Sequence, residues 1–119
     1  MNAETFVANL RVAAEKTAVT SLLRALGEPP GRERESELVR LSHWFNALDS
    51  PDQSKVAEAL AMAAELAIYN VLLVFDGYLA IESSEEKGQL QLFYVRAGER
   101  TLLNDPDAEA LSSLAKVVD

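Results

Sequence analysis

Hydrophobic residues near the start of the chain recur at the spacing of one helix face. Phe6 and Leu10 begin this pattern, which predicts helical structure over residues 3–26. Gly27 follows the last periodic residue and is typical of a C-terminal cap. The pattern weakens over residues 17–21, so the segment is either one helix or two.

A second helical segment follows a predicted turn. Residues 28–31 contain two prolines and a glycine, which cannot continue a helix. Residues 32–48 begin with alternating charges and then become amphipathic. The apolar positions of one face are Leu38, Leu41, Phe45 and Leu48.

The clearest local signal is a helix start at residues 50–53. Ser50 is predicted as the N-cap, Pro51 lies in the first turn, and Gln53 stands where a capping box places its amide. An alanine- and leucine-rich pattern then runs through Ile68 without a helix breaker, which favours a helix to about Phe75.

The end of this helix admits two interpretations. Asp76-Gly77 lies between two apolar runs, as in a type I′ β-hairpin, which would make residues 71–75 a strand. The same glycine is also typical of a helix C-cap. We favour the helix, with the strand as the alternative.

After Gly77 the period changes to that of strands. Polar and apolar residues alternate at the start of residues 89–96, which are rich in strand-forming residues. The segments that we predict are a strand at 78–82, a loop at 83–88, a strand at 89–96, a turn at 97–100 and a third strand at 101–103.

Residues 104–107 predict another helix start, followed by a short amphipathic helix to residue 118. Helices followed by strands indicate an α+β fold. We therefore predict a single domain over residues 1–119, with N-terminal helices packed on a small antiparallel meander of two to three strands and a short C-terminal helix.

Composition restricts the compartment and the chemistry. The chain has no cysteine, which excludes disulfides and thiolate catalysis and fits a reducing compartment. A signal peptide has a basic start followed by an apolar stretch, and the sequence shows neither. The longest apolar run, residues 66–75, is shorter than the roughly 20 residues of a membrane span. We therefore predict a cytoplasmic protein without a membrane partner.

Charge is distributed unevenly along the chain. The net charge is −8, yet residues 1–40 hold six acids and six bases, so the whole excess follows residue 40. The electrostatic field of this negative charge repels phosphate backbones, which argues against nucleic acid as a partner. It would attract a protein with a basic surface, although acidity that only maintains solubility is an equal alternative.

Catalytic candidates are few. His43 is the only histidine, and adjacent Ser42 would point away from it on a helix, so we interpret His43 as a surface residue or a half-buried structural one. In the alternative hairpin, Asp76 and Glu82 would be paired carboxylates, but no nucleophile or phosphate loop accompanies them. Asp105 and Asp107 lack the spacing of a calcium site. We predict no catalytic residues, no metal and no cofactor.

Several side chains are better candidates for contact with another protein. Trp44 is either a core residue or an interface residue, because it and Phe45 cannot both point into one core. Asn70 interrupts an apolar run and is either exposed or sets the register against a neighbouring element or a second copy. The partner-binding residues that we predict are Glu82, Glu85, Glu86, Asp76, Glu99 and Trp44.

In general character the chain resembles the small acidic immunity proteins of bacteria, which neutralise cognate toxins. The likeness rests on acidity, the absence of cysteine and a charged loop, and on no specific motif. It implies a non-catalytic module that binds a basic toxin surface. Two alternatives are a small enzyme or ligand-binding domain with a cleft near His43, Trp44 and Asp76, and a homodimeric scaffold built on the long apolar helix.

Overall fold

The computed structural model describes residues 1–29 and 36–115. Within these residues the chain is mostly helical and carries one small antiparallel sheet, which confirms the predicted α+β class. The helices are α1 Ala3–Leu10, α2 Thr17–Gly27, α3 Glu37–Ala47, α4 Ser50–Asp76 and α5 Leu111–Leu114, and the strands are β1 Phe93–Arg96 and β2 Glu99–Leu102.

The first helical segment is continuous but changes its winding. A π-helical stretch, Arg11–Lys16, joins α1 to α2 and packs against α4. Arg11 Nε donates to the buried Glu15 carboxylate at 3.2 Å, and its Nη2 reaches Glu65 Oε1 of α4 at 3.5 Å. Burying a carboxylate is unfavourable unless it has a charged partner, and Arg11 is that partner for Glu15.

Helix α3 closes the C-terminal end of α2. Ser42 Oγ donates to the carbonyl oxygen of Leu26 at 2.6 Å, and Asn46 Nδ2 donates to the same oxygen at 3.2 Å. These bonds satisfy a carbonyl at the end of a helix, where no intrahelical donor remains. Of the predicted segment 32–48, residues 32–35 lie outside the described residues, as do residues 30 and 31 of the predicted turn.

Helix α4 begins as predicted, but with a different cap. Asp49 is the N-cap, and its Oδ1 accepts from Asp52 N at 2.9 Å, so Ser50 is already helical and its prediction as the cap is wrong. The predicted capping box is also wrong, because Gln53 Nε2 donates to the carbonyl of Phe45 at 3.0 Å. Two adjacent capping residues compete here, and the carboxylate takes the position at the positive helix end.

Hydrogen bonds at the C-terminal end of α4 show whether residues 71–75 are helix or strand. Gly77 has φ 81°, its amide donates to Val74 O at 3.1 Å, and the amide of Tyr78 donates to Leu73 O at 2.9 Å. These two bonds form a Schellman motif. The helix to Phe75 is therefore confirmed, and the strand at 71–75 is wrong.

The sheet has two strands, the smaller of the two predicted sizes. Residues 78–82 and 89–92 are not strands. In the described part of the chain only β1 and β2 pair, with Phe93 opposite Leu102 and Arg96 opposite Glu99. The turn between them is two residues long, Ala97 and Gly98, both with positive φ as a type I′ turn requires. Side chains hold the backbone of residues 88–92 in place of a third strand.

The predicted helix start at 104–107 is wrong. Asp105 Oδ1 accepts from Asp107 N at 2.9 Å in a local turn, and α5 begins only at Leu111. The last residues of the predicted helix, 116–118, lie outside the described part of the chain.

The core joins the two ends of the described chain to α4. Its central residue is Leu72, which is fully buried between α1 and α5. Helix α4 is also long and apolar enough to cross a membrane by length and composition alone, a test that core helices of soluble proteins pass as well. The buried cluster comprises Val7, Leu72, Leu111 and Ala115.

Candidate functional site

A groove of about 640 Å³ opens at the C-terminal end of α4. One wall is the last turn of that helix, and the others are the loop over residues 77–90 and the segment 104–110. Because loops on a rigid scaffold often carry binding residues, this groove is the first place to seek a site.

Asn104 builds the groove by tying three chain segments together. Its Nδ2 donates to Phe75 O and to Leu90 O, and its Oδ1 accepts from Leu92 N, each at 2.8 Å. The Asn104 side-chain amide thus replaces the backbone hydrogen bonds that a third strand would have made. Sequence reasoning missed this role, and the only signal was an asparagine in a turn-forming Asn-Asp-Pro sequence.

Asp76 lies at the inner end of the groove and is half-buried. Its two carboxylate oxygens accept from the amides of Leu111 and Ser112, both at 2.8 Å. These amides are among those that a helix start leaves without an intrahelical partner, and the local cap residue, Ala110, has no side-chain acceptor. Asp76 therefore holds α5 against α4.

Large apolar side chains are exposed along the groove. Tyr78 is 71% exposed and Ile81 is 67% exposed, and Leu79 and Leu90 expose close to half of their surface. All four line the groove. Single exposed apolar residues are common in proteins, but a cluster rimmed by polar groups marks an interaction surface.

Carboxylates rim the same loop. Glu82 lines the groove beside Lys87, and its Oε2 accepts from the amide of Gly88 at 3.0 Å, which closes the loop. Glu85 and Glu86 lie between these residues and are exposed. The acidic cluster predicted from the sequence therefore lies beside the exposed apolar residues.

The other predicted partner-binding residues lie apart from this groove. Glu99 is exposed on β2, opposite Arg96, and lines a separate depression of about 320 Å³ with Tyr94 and Thr101. Trp44 lies exposed on α3, while adjacent Phe45 is buried. Neither Glu99 nor Trp44 lines the groove.

The structure does not bring His43, Trp44 and Asp76 into one cleft. Asp76 ends α4, whose 27 residues span about 39 Å at 1.5 Å per residue. His43 lies on α3, seven residues before the start of α4, so the connecting chain reaches at most about 16 Å back. His43 and Asp76 are therefore separated by more than about 20 Å.

Within residues 1–29 and 36–115, no three carboxylate or histidine side chains are grouped to hold a metal ion. The arrangement at the groove is instead one of apolar side chains, a half-buried structural carboxylate and an acidic rim. Comparison with known proteins finds no family model, curated protein or solved structure that matches this chain.

Proposed function

We propose that this chain is a non-catalytic protein-binding module whose docking surface is the groove at the C-terminal end of α4, together with the rim of its loop over residues 77–90. One observation carries the proposal. Four exposed apolar side chains and three carboxylates lie in the same short stretch of chain, beside a groove of about 640 Å³. This combination fits a partner segment that offers an apolar side chain flanked by lysine or arginine.

The apolar residues would supply most of the affinity. Covering a fully exposed tyrosine or isoleucine side chain is worth about 1.5–3 kcal/mol. Tyr78 and Ile81 are both more than two-thirds exposed and sit three residues apart. Aromatic residues in such positions are frequent hot spots. We therefore expect substitutions of these two residues to increase the dissociation rate.

The carboxylates would act mainly by raising the rate of association with the partner. Glu85 and Glu86 are exposed at the loop and belong to a region that holds the whole charge excess of the chain. Complementary charge at the rim of an interface raises the association rate, and salt weakens the effect. A basic partner is therefore favoured over a neutral one.

For the identity of that partner we propose a bacterial toxin with a basic surface, bound in the cytoplasm of the cell that makes both. The general likeness to acidic immunity proteins and the net charge of −8 support this proposal. Such a module would neutralise the toxin by covering its surface rather than by modifying it.

The first test is affinity capture from the source organism with matched variants. Glu85→Lys/Glu86→Lys alters the loop but spares Glu82, which holds Gly88. Glu4→Lys/Glu28→Lys makes the same change in net charge at exposed positions away from the groove. We expect wild type and this control to retain a basic protein that the loop variant loses.

Kinetics on the purified captured protein then test the mechanism. At low salt we expect the loop variant to associate about tenfold more slowly than the control, and Ile81→Asp to dissociate faster. The toxin identity further requires that wild type suppress the activity of the captured protein. Equal association rates for the loop variant and the control at low salt would contradict the proposed surface.

A further inference from the structure

Helix α4 carries an exposed apolar face on the side away from the core. Positions 59, 62, 63, 66 and 70 fall within about 100° of arc on an α-helix. We call these residues the α4 outer face: Ala59, Met62, Ala63, Leu66 and Asn70. All five are exposed, and Met62 and Leu66 expose 63% and 51% of their surface.

The opposite face of the same helix is the core of the protein. Leu72 is fully buried there, with Ile68 and Phe75 packed against the same cluster. A helix that is apolar on both sides is normally buried on both sides. Here one side contacts α1, α2 and α5 through the core and the π-helical stretch, and the other faces solvent.

The chain as a whole also exposes more surface than a compact monomer. Its accessible surface is 8909 Å², whereas a compact monomer of this mass exposes about 6,300 Å². Its radius of gyration is 18.4 Å, against about 13.5 Å for a compact chain of this length.

Charge indicates what covers the α4 outer face. The face itself carries no charge, although the chain has a net charge of −8. Glu65, the only charged residue between Glu58 and Asp76, forms an ion pair with Arg11 on the core side. Over residues 59–70, two copies of this acidic chain can therefore meet without opposing like charges.

A lipid surface fits the same face less well. Helices that lie in a membrane interface usually carry lysine and arginine on their polar side. The ends of α4 carry Asp49, Asp52 and Asp76 instead, and Lys55 is the only base in the helix. The acids would repel anionic headgroups, so charge favours a second copy of the chain.

We infer that the α4 outer face is the interface of a homodimer, with Met62 and Leu66 of each copy packed against the partner helix. Ala59 and Ala63 allow the two helices to approach closely, and their spacing with Leu66 matches that of a helix–helix seam. Asn70 supplies one polar position in this seam, where asparagine restricts register and orientation. No residue of this face lines the groove, so this inference and the proposed function can fail separately.

Sedimentation of the full chain tests the inference. We expect wild type at about 100 µM to sediment as a dimer of about 26 kDa, twice the 13.0 kDa of one chain. Leu66→Glu should sediment as a monomer with an unchanged circular dichroism spectrum. Leu41→Glu is the matched control, because Leu41 of α3 is also 51% exposed, and it should remain dimeric.

Cysteine cross-linking gives a second readout, because the chain has no cysteine of its own. We expect a disulfide-linked dimer from Ala63→Cys, Leu66→Cys or Asn70→Cys under mild oxidation, and none from Leu41→Cys. Linkage at all three positions would indicate parallel helices, and linkage at one of them antiparallel helices.

Three outcomes would overturn the inference. One is a wild-type monomer at 100 µM without cross-links at any of the three positions. Another is a dimer that survives Leu66→Glu. The third is a wild-type chain that is monomeric in solution but floats with phosphatidylcholine–phosphatidylglycerol vesicles, provided that Leu66→Glu abolishes the flotation. That result would assign the face to a membrane.

Discussion

Two polar side chains, Asn104 and Asp76, organise the C-terminal third of the protein. Asn104 bonds to a carbonyl 29 residues earlier in the chain, and Asp76 accepts from amides 35 and 36 residues later. Each side chain satisfies backbone groups that no neighbouring strand or helix reaches. Their bonds therefore replace regular secondary structure in the region that forms the groove.

Asn104→Ala should lower the free energy of unfolding by about 2 kcal/mol, because it leaves half-buried backbone groups without partners. Urea denaturation measures this loss. Asn9→Ala is the control, since Asn9 is exposed on α1, and it should change stability by less than about 0.5 kcal/mol. Equal stabilities of the two variants would show that Asn104 does not organise the loop.

Among the helices, α4 determines where the other elements can pack. Its start is set by Asp49 and its end by Gly77, so both limits come from capping residues rather than from a loss of apolar character. The last turn also carries Phe75 O and the Asp76 carboxylate, to which Asn104 and α5 bind. The end of this one helix therefore forms one wall of the groove and positions the other two.

Gly77→Ala tests the left-handed cap. A Cβ at this position meets no atom within 4 Å, so the cost comes only from the φ of 81°. We expect a loss of about 1 kcal/mol in the free energy of unfolding. Thermal or urea unfolding would detect it.

Gly27→Ala is the matched control for that substitution. Gly27 ends α2, has no positive φ, and also has open space around its Cβ position. The change to alanine should therefore be neutral or stabilise the protein by up to about 1 kcal/mol. A loss at Gly27 as large as that at Gly77 would contradict the role of φ.

For the molecule as a whole, net charge and exposed apolar surface occur together. The chain has a net charge of −8, and the loop at residues 82–86 carries three of its carboxylates. Apolar side chains lie exposed at the groove beyond the end of α4 and on the α4 outer face, and the two sets share no residue. We assign the first surface to a basic partner and the second to another copy of the chain.

Self-repulsion among these charges should be measurable. Glu85→Gln/Glu86→Gln removes two exposed negative charges, so we expect its melting temperature at about 10 mM salt to exceed that of wild type by about 1–3 °C. At about 0.5 M salt the Debye length is shorter than the spacing between surface charges, and the difference should vanish. A difference that persists at high salt would indicate a local contact instead.

The sequence alone determines much of the helical half. The period of the apolar residues, the cap signals at 50–53 and the glycine at 77 indicate α4 to within one residue at its start. Adjacent Trp44 and Phe45 already required that one of them leave the core, and the acidic loop at 82–86 is visible from composition. These features are local, because each depends on residues within one or two helical turns.

Only the tertiary structure decides the remainder. Residues 78–82 and 89–92 have the composition of strands, but they lack an extended partner. The distant Asn104 side chain holds residues 90–92 instead. Other long-range bonds make Asp76 the cap of α5 rather than a turn residue, and make Asn104 a link between α4 and the groove loop rather than part of a helix start. The physical reason is that hydrophobic period and capping act over a few residues, whereas the partners of a buried polar group depend on which segments packing brings together.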